Sequence, residues 1–157
     1  MRRIDQICQK YGVRTIEELI RLAHDDDQTL MRSRKWDYKV DALHTRIVND
    51  IKRVPRKELT HDEKWKLEQI IWFWYHHATS CAIAKHNDRK KALCFVKKAL
   101  RYQKRIEPHP NKVTRLLYLL LLGKMDEAKV LVPTMHKDEV GTGRWLIRNW
   151  KRYSALR

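Results

Sequence analysis

An all-α fold follows from three features of the sequence. The 157 residues include only four Gly and four Pro, too few for the tight turns of an all-β sandwich or for a Gly-rich phosphate loop. Apolar residues recur every three to four positions in successive segments, the spacing of one helix face. Two capping boxes, Thr15-Ile16-Glu17-Glu18 and Thr60-His61-Asp62-Glu63, mark helix starts: the Thr hydroxyl accepts a free N–H of the first turn while the Glu reaches back. The length suits a single all-α domain over residues 1–157, and about seven helices are predicted.

The first helix holds Ile4, Ile7, Cys8 and Tyr11 on one face and ends at Gly12, which supplies a left-handed residue. The second opens at Thr15, carries Ile16, Leu19 and Ile20, and is expected to stop around Asp25-Asp26-Asp27. Those three acids suit the first turn of a third helix, in which Trp36, Val40, Leu43, Ile47 and Ile51 recur until Pro55; residues 1–55 thus form an N-terminal helical group. From Thr60 to about His86 runs a helix with no Asp, Glu, Lys or Arg between Gln69 and Ala84. A helix apolar on all sides is enclosed by others, so this one is placed at the centre. Asn87-Asp88 caps a helix from Arg89 to about Ile106, and Glu107-Pro108-His109-Pro110-Asn111 breaks the chain. Lys112–Leu122 is a second apolar helix; Met125–Val132 is a short one before Pro133. A polar loop from Thr134 to Gly143 leads to the last helix, Arg144 to about Leu156.

Leu116 and Leu119, followed by Gly123 and then Asp126-Glu127-Ala128, make a helix, a turn and a second helix in which the small Ala128 permits close approach. Ala92, Val96 and Ala99 fit the second helix of a preceding unit. On these residues the region 60–132 resembles tetratricopeptide-like helical-hairpin repeats, although the aromatic and Pro positions of that pattern are largely missing. The resemblance implies a right-handed array of hairpins used for binding; the same Ala and Leu spacing also arises in a packed bundle.

Lys plus Arg total 35 against 19 Asp plus Glu, a formal net charge of +16, which favours polyanions and brings nucleic acid forward as the first partner class. The charge is not spread evenly. Between Asp88 and Glu107 there is no acid, and Lys90, Lys91, Lys97, Lys98, Arg101, Lys104 and Arg105 fall on one arc of the helix, with the apolar residues on the other. A helix face that serves only solubility usually mixes signs, because Glu–Lys pairs one turn apart stabilise it and like charges destabilise it. The last helix repeats the pattern: Arg144, Arg148, Lys151 and Arg152 share one side, Leu146, Trp150 and Tyr153 the other. Two further basic runs are Arg32, Arg34 and Lys35, and Lys52, Arg53, Arg56 and Lys57; the first precedes Trp36, a candidate for stacking on a base.

Other chemistry is sparse. Residues 6–22 have the outline of a helix-turn-helix, but Glu17 and Glu18 on its second helix oppose a phosphate surface. His77 and Cys81 are one turn apart and Cys94 is a conceivable third metal ligand, yet no CxxC or HxxxH pattern completes a set, so no metal and no cofactor is expected. His76, His77 and His86 near lysines carry the weaker idea of an RNA-cleaving enzyme, without a paired acid or the His spacing that acid–base catalysis would need. Gly141-Thr142-Gly143 is too short for a phosphate loop. Three cysteines, the absence of an apolar leader and the lack of a membrane-length apolar run point to a reducing, cytoplasmic compartment and no membrane. The function expected is non-catalytic binding of DNA or RNA through phosphates with weak sequence preference. The alternative is a helical-repeat adaptor for protein partners. Because Lys112–Leu122 is apolar on every side, a homodimer or partner is expected to cover it.

Overall fold

The computed structural model describes residues 1–106 and 111–154. Among them are eight α-helices and no strand: α1 (Arg3–Lys10), α2 (Ile16–Arg32), α3 (Leu43–Ile51), α4 (His61–Ala84), α5 (Arg89–Arg105), α6 (Val113–Leu121), α7 (Met125–Leu131) and α8 (Val140–Ser154). Residues 107–110 of the predicted chain break Glu107–Asn111 and the end of the last helix at Leu156 lie outside the described residues. Among the described residues no helix is long and apolar enough to cross a membrane. The chain divides into two compact units, Met1–Trp74 and Tyr75–Arg157, with the division inside α4.

In the first unit α1 packs on α2 and α3, and α2 packs on α3. Ile4, Ile7 and Cys8 are buried as the spacing requires. Gly12 has φ +71°, and the Val13 amide donates to the Cys8 carbonyl at 3.0 Å, closing α1 in a Schellman-type turn. Thr15 caps α2 by accepting from the Glu18 amide at 3.1 Å, but Glu18 reaches one residue further than expected, to the Arg14 amide at 2.7 Å. The box at Thr60 is fully reciprocal: Glu63 accepts from the Thr60 amide and Thr60 from the Glu63 amide.

Two expectations fail here. The second helix does not stop at Asp25-Asp26-Asp27 but continues to Arg32, and Ser33 to Ala42 is a loop, so the third helix begins at Leu43 rather than ahead of Trp36. The cause is tertiary. Asp27 is buried and accepts from the Trp36 indole N–H at 2.7 Å. Asp26 accepts from the His44 backbone N–H at 3.0 Å and lies 2.7 Å from the His44 ring nitrogen Nδ1. Asp26 does serve the first turn of α3, but from across space, while Asp27 anchors the loop before it.

In the second unit α6 packs against α5, α7 and α8. The last turns of α4 contribute Tyr75, whose ring stacks on Tyr102 of α5 and tilts against Phe95. From Leu67 to Ile83 no residue of α4 is exposed, in accord with its predicted enclosure, although Trp65 near its start is 43% exposed. Val113, Leu116, Leu117, Leu119, Leu120 and Leu121 of α6 are all buried by the chain itself and Leu122 is left 37% exposed, so most of the apolar surface that suggested a homodimer or partner at Lys112–Leu122 is already covered. Three neighbouring helices supply the cover that a lone amphipathic contact cannot. Gly123, with φ +76°, makes the turn from α6 to α7, and the fully buried Ala128 lets α7 approach. At Gly143 an added Cβ would lie 2.7 Å from Met135 Sδ and 3.2 Å from Val132, so the missing side chain is what lets α8 cross the 3-10 turn at Val132–Thr134.

Candidate nucleic-acid interface

The basic arc on α5 is built from both ends. Asn87, with φ +49°, turns the chain out of α4. Asp88 then caps α5 by accepting from the Lys91 amide at 2.9 Å. Ala92, Phe95, Val96, Ala99, Gln103 and Ile106 are buried, which fixes the rotation of the helix about its axis. That rotation exposes all seven of Lys90, Lys91, Lys97, Lys98, Arg101, Lys104 and Arg105, within an arc of about 140° and a length of about 25 Å. Among the described residues none of the seven is ion-paired.

Three of these cations rest on aromatic rings of their own unit. Lys91 Nζ lies 5.6 Å from the centre of the Phe95 ring, Lys98 Nζ 5.7 Å from Tyr75, and the Arg105 guanidinium 4.9 Å from Tyr102. Such contacts hold the side chains close to the helix and leave their charge unneutralised. Arg89, at the start of the helix, is used structurally: it donates to the Leu121 carbonyl at the end of α6.

On α8, Arg144, Arg148, Lys151 and Arg152 are exposed and Leu146 is buried, as predicted. Both basic helices belong to the second unit and both pack on α6. The last helix begins at Val140 and not at Arg144, so the loop expected through Gly143 is shorter, and Gly141 and Gly143 fall in the first turn of α8 and form no phosphate loop.

Several sequence candidates fall elsewhere. Trp36 is 3% exposed and bound to Asp27, so it is core rather than a stacking surface for a base. Arg56 pairs with the buried Glu68. Glu17 is engaged by Lys66 at 2.8 Å. The ligand atoms of His77, Cys81 and Cys94 do not come together among the described residues, because Cys94 is exposed and Cys81 buried. His76 Nδ1 lies 2.9 Å from the Thr114 hydroxyl.

Trp145 escaped the sequence reading, and Cys94 entered it only as a metal-ligand candidate. Cys94 stands in the middle of the α5 cation arc, and Trp145 stands beside the cations of α8, 48% exposed. At 100° per position Cys94 falls within the cation arc of α5 and Trp145 beside that of α8. In the first unit, a groove of about 410 Å³ is lined by Ile20, His24, Trp65, Gln69, Ile70 and Phe73 and closed at one rim by the Glu17–Lys66 pair.

No protein-family model, curated protein or solved structure matches this chain. Its functional reading therefore rests on its own geometry.

Proposed function

We propose that this chain is a non-catalytic nucleic-acid-binding protein that grips phosphates through the basic face of α5, with α8 as a second contact. The observation that carries the reading is the set of seven exposed α5 cations, aligned on one arc with no ion-pair partner among the described residues. Like charges one turn apart repel, so the arrangement costs stability in the free protein. A polyanion with closely spaced charges removes that cost and adds counterion release on binding. A set of dispersed surface lysines would not need one face. The adaptor reading has lost the argument from α6, whose apolar side chains are buried within the chain.

The test is a titration of the whole chain against DNA and RNA at several salt concentrations. The affinity should fall steeply with salt, with a log–log slope of about −0.9 for each phosphate neutralised on a duplex. Replacing Lys97, Lys98 and Arg101 by Ala should weaken binding across sequences and flatten the slope by about two to three, because these residues contact phosphate and not base. Alkylation of Cys94, which lies within the same arc, should be slowed by bound nucleic acid. Binding insensitive to salt, or a triple variant that binds as well as the parent, would overturn the assignment.

A further inference from the structure

The geometry of α8 points to the kind of nucleic acid this surface takes. Trp145 is 48% exposed, flanked by Arg144 and Arg148 and displaced about 20° around the helix from Arg152. Its ring is not loose. Tyr153, two turns on, meets it edge-on with centroids 5.5 Å apart and planes at 76°. Tyr153 is in turn held by the Trp150 ring at 6.2 Å. An indole braced on one side and open on another, with cations around it, has the elements of a stacking platform for a planar ring.

The aromatic residues near the α5 cations differ. Tyr102 is stacked on Tyr75 and covered by the Arg105 guanidinium. Phe95 is buried beneath Lys91. In the second unit Trp145 is the tryptophan left exposed beside basic side chains, while Trp150 is turned toward the other side of α8 and half-buried.

We propose that Trp145 stacks on an unpaired base, so that the ligand is a single-stranded nucleic acid. A duplex offers phosphates and groove edges but keeps its base faces stacked on one another, whereas a single strand presents a free face at every residue. Arg144, Arg148 and Arg152 follow one another along the helix at a rise of about 6 Å each, a row of cations beside the platform for the strand's backbone. The inference rests on the phosphate-binding reading above and adds a base contact to it.

The experiment uses the full chain and its Trp145→Ala and Trp145→Phe variants. Each is titrated with a short oligothymidine, the same backbone without bases, and a duplex of equal length. Trp145→Ala should lose about ten- to a hundredfold in affinity for oligothymidine, keep its affinity for the abasic strand and the duplex, and show an unchanged salt slope. Trp145→Phe should recover most of the loss. Oligouridine run alongside separates RNA from DNA as the natural strand. Equal loss on all three ligands, or no loss on oligothymidine, would overturn the stacking role while leaving phosphate binding intact. Failure of phosphate binding would show instead as loss of salt-sensitive affinity for every ligand, the abasic strand included.

Discussion

The two units spend their charges in opposite ways. Met1–Trp74 has sixteen Lys and Arg against thirteen Asp and Glu, a net +3, while Tyr75–Arg157 has nineteen against six, a net +13. In the first unit four cations are tied to acids on other segments: Arg2 to Glu63, Lys10 to Asp50, Lys66 to Glu17 and Arg56 to Glu68. In the second, the cations of α5 and α8 stand on open helix faces, and an exposed ion pair joins His136 and Asp138. The high net charge is thus the property of one unit. In one unit charges bridge helices; in the other they repel within a helix, a loss in the free protein that has to be set against a gain elsewhere.

The largest expected effect concerns the core of the first unit. Trp36→Ala removes a buried indole, which costs on the order of 3–5 kcal/mol, and deprives the buried Asp27 carboxylate of the N–H donated at 2.7 Å. Equilibrium denaturation should therefore show a large drop in unfolding midpoint. The half-buried Trp74, 6.0 Å from Trp36 and donating to Thr45 at 3.0 Å, should cost less when truncated. A mild Trp36→Ala variant would mean that the loop Ser33 to Ala42 is not held by this anchor.

The fate of Trp36 also marks how far the sequence could be read. Helix existence and most boundaries were legible because periodicity and caps are local: α4 to α7 begin and end within two residues of their predicted limits. The passage through Asp25-Asp26-Asp27 was not, because whether an acid starts a new helix or reaches back from an old one depends on what stands across from it. Here that is the Trp36 indole and the His44 amide. The α5 arc was legible in full, since one helix's rotation follows from its own apolar stripe. The imbalance between the units was hidden because their division falls inside α4, where no Gly or Pro marks it.

A smaller effect should take opposite signs in the two units. Arg101 has Lys97 and Arg105 one turn away and Lys98 and Lys104 three positions away. Arg101→Glu turns four repulsions into attractions, each repulsion lost and each attraction gained worth about 0.2–0.5 kcal/mol, so the unfolding free energy, followed by thermal unfolding, should rise by about 2–4 kcal/mol if the pairs add while nucleic-acid affinity collapses. Arg2→Ala should do the reverse, lowering the unfolding midpoint through loss of its bonds to Asp5 and Glu63 and leaving nucleic-acid affinity nearly intact. Stabilisation at the cost of binding is the signature of a surface kept for a ligand. Arg101→Glu protein that is less stable, or that still binds, would remove the contrast.

Acidification should give the smallest difference, again with opposite signs. The Asp5 carboxyl is held below its ordinary range by its hydrogen bonds from Arg2, and the Glu17 carboxyl by that from Lys66. Burial would raise Asp50, but the hydrogen bonds from Lys10 and Tyr11 outweigh it and its pKa is lowered. Groups with depressed values contribute stability that is present above about pH 4 and lost as the pH falls through their folded values. In the second unit, burial pushes the Glu139 carboxyl up, against the nearby His136 and Lys112. Its ionised form is therefore disfavoured in the folded unit at neutral pH, a cost that disappears once the group is protonated in both states. Glu139→Gln should accordingly raise the unfolding midpoint slightly at pH 7 and make no difference below about pH 4, whereas Asp5→Asn and Glu17→Gln should lower it at pH 7 and likewise converge with the parent in acid. A Glu139→Gln variant less stable than the parent at pH 7 would mean that His136 and Lys112 outweigh the burial, and that this acid, like those of the first unit, is held in place by its cations.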